Sequence, residues 1–152
     1  MSKIISFRGK LADGLMERLN LKTLDGKRAY KINKFNIIGE QPGVQTVELV
    51  AQIYSRDPSF TEPGITNVVD FTNANLLAVA YYVDSSATSA SQKETIIFDN
   101  EKTNQNMFVT AADVSGSTRS TNYYIELEVI KISDVEATMM TLKSLRTTAS
   151  FS

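Results

Sequence analysis

Residues 24–38 read LDGKRAYKINKFNII. Four basic side chains, Lys27, Arg28, Lys31 and Lys34, are threaded among Tyr30, Ile32, Phe35 and Ile37, mostly at alternate positions. Tyr30 and Ile32 share one face of an extended chain. The phase then changes, and Phe35 and Ile37 continue the apolar series. One extra residue near Asn33–Lys34 does this, and a β-bulge is the usual device. The stretch is a strand with one apolar face and one wet, basic face.

The same period of two recurs along the chain. In VQTVELVAQIYSRD (44–57), Val47, Leu49, Ala51 and Ile53 share a face, with Glu48, Gln52, Tyr54 and Val50 on the other, as in a half-buried strand. In NYYIELEVIKI (122–132), Tyr123, Ile125, Leu127 and Val129 alternate with Tyr124, Glu126 and Glu128. LLAVAYYV (76–83) is apolar on both faces and belongs in a covered, central position. ETIIFD and NMFVTA are shorter strand candidates. Asp13–Gly14 and Asp25–Gly26 are turn signals that make the first 40 residues read as a meander, with a hairpin across the second.

YSRDPSFTEPGITN reads as a structured loop, and DSSATSASQ and DVSGSTRSTN as mobile ones. One helix is expected, at about 134–146. Ser133 and Glu136 form a capping box, and Val135, Met139, Leu142 and Leu145 make one apolar stripe. Lys143 and Arg146 suit the C-terminal end of its dipole. Together these elements predict an all-β chain: one domain over 1–152, an antiparallel β-sandwich of jelly-roll type with a short C-terminal helix.

Composition closes off much chemistry. The 152 residues include no Cys, His or Trp. Thiolate metal sites, disulfides and Cys nucleophiles are excluded, as is the usual general base near neutral pH. No Ser-x-x-Lys pair, Walker loop or Gly-rich dinucleotide turn has a credible context. Glu126 and Glu128 lie on one strand face, but no Trp platform accompanies them, so they read as a solvated face and not as a glycosidase pair. Asp99, Asn100, Glu101, Asn104 and Asn106 are oxygen donors without calcium-loop spacing, and read as a polar turn. The expectation is a protein that is not an enzyme, with no catalytic, cofactor-binding or metal-binding residue. The N-terminus has no signal-peptide core, and no apolar run approaches the roughly 20 residues of a membrane helix. Synthesis in the cytoplasm, without membrane contact, follows as an expectation.

Charge is uneven. Residues 1–34 hold nine Lys or Arg against three acids, and the remainder seven against fourteen. Such a split fits contact with a polyanion, complementary patches on neighbouring subunits, or segments that pair within one sheet. Lys22, Lys27, Arg28, Lys31 and Lys34 are the candidate interface or phosphate-contact residues, with Arg8, Lys10 and Arg18 beside them. Tyr30 and Phe35 could stack on bases, but they sit in the apolar series. The isoelectric point near 5.5 also argues against a dedicated nucleic-acid protein.

Four stretches, MSKIISFRGKLADG, VDFTNANLLAVAYY, TIIFDNEKTNQNMFVT and NYYIELEVIKISDVEATMMTLKSLRT, give the chain a resemblance to small β-sandwich structural proteins associated with the capsids of marine bacteriophages. The resemblance spans most of the chain and assigns no site residue. It implies a capsid, vertex or capsid-decorating protein located in the virion. Its partners would be copies of itself or other capsid proteins, with non-specific nucleic-acid contact and no small-molecule substrate. The alternative is a carbohydrate- or receptor-binding module using the loops at 54–67 and 84–92.

Overall fold

The computed structural model describes residues 3–21, 27–60, 68–85, 90–98, 102–104 and 106–149. Within them the strands are β1 (Lys3–Leu11), β2 (Met16–Leu19), β3 (Arg28–Gly39), β4 (Val47–Tyr54), β5 (Leu76–Ser85), β6 (Ala90–Ile97), β7 (Met107–Asp113) and β8 (Thr121–Lys131), followed by helix α1 (Asp134–Ala149). They form two antiparallel sheets, ordered β1-β8-β3 and β2-β7-β4-β5-β6. These partners arise when eight strands fold as one long hairpin, first on last and so on inward, and the hairpin then rolls up. That is the jelly-roll arrangement. Three of its four pairs, β1 with β8, β2 with β7 and β4 with β5, are hydrogen-bonded ladders. The fourth, β3 with β6, is a contact without a ladder, in which Thr95 Oγ1 donates to the Phe35 carbonyl at 2.8 Å.

The bulge in β3 falls where the change of phase requires it. Ile32 faces Leu127 and Lys34 faces Glu126, which leaves Asn33 as the extra residue. Phe35 and Ile37 therefore join Tyr30 and Ile32 inside, opposite Leu49, Ile53 and Val109 of the other sheet, in one continuous core. Phe35, Ile125 and Leu127 are almost wholly enclosed. Gly9 belongs to the same packing. It lies opposite Tyr123, and a Cβ there would sit 2.7 Å from the Tyr123 hydroxyl. The buried ring occupies the space that a side chain would need.

Four local expectations are corrected by tertiary contacts. The first 40 residues are not a meander, since β1, β2 and β3 do not pair with one another. The Asp25–Gly26 turn lies outside the described residues, but the strands flanking it belong to different sheets. A tight turn permits a hairpin; the long partner β8 offers β3 eleven cross-strand pairs instead. Strand β4 is covered on both faces, not one. Gln52 and Tyr54 are buried, and Gln52 Nε2 donates to the Val68 carbonyl of a segment lying over the sheet. Burial, with the Asp70 charge nearby, pushes the Tyr54 hydroxyl up to about 12.

The segment read as a mobile loop at 84–92 is in part a ladder, with Asp84 facing Ser91 and Ser85 facing Ala90. Backbone pairing there needs no apolar side chains. The β7–β8 connection is likewise anchored, by Asp113. One of its carboxylate oxygens accepts from the Glu48 and Ser115 amides and the Ser115 hydroxyl, the other from the Arg119 amide. Burial raises the Asp113 pKa, but these four donors outweigh it and hold the carboxyl below its usual range.

Two outcomes test this packing. Leu127→Ala should cost about 3 kcal/mol in urea unfolding, and Leu127→Asp should give no folded protein by circular dichroism. Asp113→Asn should lower stability by about 1–3 kcal/mol at pH 7. Because the native carboxyl is held low, its contribution is complete above about pH 4 and is lost as pH falls through the native value. The gap between wild type and variant should therefore close in acid. A gap constant from pH 7 to pH 2 would refute the anchoring role.

Candidate functional site

Alternation sends every second side chain of the three-stranded sheet outward, and the register aligns them in rows. From one end these are Ile4–Glu128–Lys31, Ser6–Glu126–Lys34, Arg8–Tyr124–Asn36 and Lys10–Asn122–Ile38, with the β8 residue central in each. The first two rows answer the question posed by the lysines of β3. Lys31 stands opposite Glu128, and Lys34 Nζ lies 3.9 Å from Glu126 Oε2. The basic N-terminal segment and the acidic C-terminal one meet in a single sheet. Exposed pairs of this kind contribute little to stability.

Four of the five candidate residues are described, at or within β3. Lys22 lies outside the described residues. Lys27 reaches Asp134 at the start of α1, Nζ to Oδ1 at 3.3 Å. Arg28 faces Lys131 at the end of the sheet. Arg18 is on the other sheet, its Nε donating to Asn20 Oδ1. Tyr30 and Phe35 are core residues, so neither offers a face to a base.

The other end of the same sheet is different. Arg8, Gly9, Lys10, Asn36, Ile37, Ile38, Asn122, Tyr123 and Tyr124, with Lys93 from β6, line a concavity of about 650 Å³. It lies against the edge where β3 and β6 touch without a ladder. Among the described residues three cations line it and no carboxylate does. Tyr124 and Ile38 are partly exposed there, at 38% and 47%. At its rim Lys10 Nζ is 2.8 Å from Glu40 Oε2, and the Ser120 amide donates to Glu40 Oε1. Lys10 and the Ser120 amide hold the Glu40 carboxyl below its usual range. Arg8 and Lys10 were among the basic residues named from the sequence. Lys93, Asn36, Asn122 and Tyr124 were missed, because nothing local places β6 beside β3 or sets the register of β8.

A second surface is α1. Ser133 Oγ accepts from the Glu136 amide, the expected cap, and the helix runs on to Ala149. Its first half is tied to the body by Lys27 and by Asn104 Nδ2, which donates to the Ala137 carbonyl and Thr141 Oγ1. The apolar stripe is not tied down. Val135, Met139 and Leu142 are 69%, 63% and 51% exposed, and the Leu145 side chain lies outside the described ones.

The donor cluster around residue 100 is only partly described, since Asp99, Asn100 and Glu101 lie outside. Asn104 serves the helix, and Asn106 Oδ1 accepts from the Leu21 amide. Among the described residues no group of three acidic side chains is placed to hold a metal. No helix among them is long and apolar enough to cross a membrane. The loops at 54–67 and 84–92 are described in part, and the Phe60 side chain is not. No protein-family model and no curated protein sequence matches the chain. Function has to be argued from the surfaces themselves.

If Lys31 and Lys34 are ordinary members of a solvated sheet face, Lys31→Ala and Lys34→Ala should each shift unfolding stability by less than about 1 kcal/mol. A loss of several kcal/mol in urea titration would show that the pairs with Glu126 and Glu128 matter more than their exposure implies.

Proposed function

We propose that the protein is a non-enzymatic structural component of a virion, a capsid, vertex or capsid-decorating protein that assembles with copies of itself or with other shell proteins. The observation that carries this reading is the uncovered stripe of α1. Val135, Met139 and Leu142 recur at helical spacing on an element that is otherwise anchored, and a single copy of the chain leaves them in water. Sixteen helical residues extend about 24 Å, long enough to pack as one helix of a pair or bundle. Met139, Met140, Leu142 and Lys143 also border an apolar hollow of about 560 Å³, and methionine adapts readily to a partner's shape. The jelly roll supports the reading at the level of architecture, because that fold is widespread among viral shell proteins. It also occurs in lectins, so the fold alone does not decide.

Assembly through this stripe differs from assembly through complementary charged patches. Apolar burial persists in high salt, whereas exposed ion pairs are screened. The internal pairing of β3 with β8 favours the first. Light scattering should give a mass above the 16.8 kDa of one chain at both low and high salt. Met139→Glu with Leu142→Glu should be monomeric and still folded, since the stripe is exposed in the single copy. A wild-type monomer at both salts would overturn the proposal.

A further inference from the structure

We propose that the concavity on the three-stranded sheet binds a compact anionic saccharide, a sugar unit carrying a carboxylate, sulfate or phosphate. Its residues divide into three kinds of chemistry, each suited to one part of such a ligand. Arg8 and Lys10 from β1 and Lys93 from β6 line it, with no acid among the described lining residues, which suits a negative substituent. Asn36 and Asn122 carry carboxamides, which both donate and accept, as sugar hydroxyls require. Tyr124 and Ile38 add a partly exposed ring and an aliphatic side chain for the C–H face of a sugar ring. A volume of about 650 Å³ lies within the range of small-molecule sites.

The same face argues against a nucleic-acid strand. Successive outward residues on a strand are about 7 Å apart, so the Arg8 and Lys10 rows span roughly one sugar unit. Beyond Tyr124 the next central residues are Glu126 and then Glu128, and Glu40 stands at the opposite rim. A phosphodiester chain running along the sheet would meet a carboxylate at either end. A single charged unit is short enough to stay clear of Glu126 and Glu128. Glu40 also neutralises Lys10 at 2.8 Å, so it competes with an incoming anion.

The test is calorimetric titration of the full chain with glucuronic acid, glucose 6-sulfate and glucose 6-phosphate, against glucose, inorganic phosphate and a short oligothymidylate. At least one charged sugar should bind with a Kd of about 1 mM or tighter and more tightly than the three controls. Arg8→Ala and Lys93→Ala should each weaken it about tenfold, and Tyr124→Ala severalfold, all at exposed or rim positions with the melting temperature retained. Glu40→Gln should strengthen it severalfold by releasing Lys10, an effect of opposite sign that a merely structural role would not produce. The inference is overturned if no charged sugar binds, if inorganic phosphate or the oligothymidylate binds as tightly, or if the substitutions leave affinity unchanged. The site is independent of the oligomeric state, and either proposal can fail alone.

Discussion

The structure depends on β8 lying between β1 and β3. The eleventh-hour strand of the chain supplies the centre of a sheet whose two flanks are made first, with nine cross-strand pairs on one side and eleven on the other. Its inward residues Tyr123, Ile125 and Leu127 roof the core, so without it neither flank has a partner and the second sheet faces water. The β1–β8 closure spans more than a hundred residues. Bringing such segments together costs loop entropy before any contact rewards it, which marks this fold as a slow one among domains of its size.

That closure also accounts for the surfaces. Along one seam of the rolled hairpin, β3 and β6 pack together without a ladder. They remain in touch through Thr95 but do not exchange ladder hydrogen bonds. The seam is where Lys93, a residue of the larger sheet, reaches the outward rows of the smaller one. Meanwhile α1 starts directly after β8 and is tied to the body through Asp134, Ala137 and Thr141. Its stripe is displayed rather than folded back onto a core already sealed by the two sheets.

Electrostatics follow the same logic. A chain whose first 34 residues are strongly basic and whose remainder is acidic resembles a protein with two opposed surfaces. The register of β3 on β8 removes part of that contrast, because Lys31 and Lys34 lie across from Glu128 and Glu126. What survives is local. Arg8 and Lys10 on β1 face Tyr124 and Asn122 instead of acids, and Lys93 joins them across the seam. Two of these three cations belong to the basic first 34 residues, and only the fold brings Lys93 to them.

Much was legible locally. Alternation in β3, β4 and β8 marked the side chains that enter the core between the sheets, the change of phase after Ile32 located the bulge at Asn33, and Ser133 with Glu136 marked the start of α1. These are properties of a few consecutive dihedrals and the side chains on them, so neighbouring residues suffice to reveal them. The Asp113 anchor was missed, since DVSGSTRSTN read as a mobile loop and the Glu48 amide that helps hold Asp113 comes from β4. Whether the outer face of β4 was wet, whether Asp25–Gly26 closed a hairpin, and which cations would share a concavity were decided only by which strands met. Pairing is a competition among all strands for the largest common buried face, and its outcome depends on residues a hundred positions apart. The sequence by itself determined the period of each strand; the tertiary structure decided its partner, and with the partner every surface the protein presents.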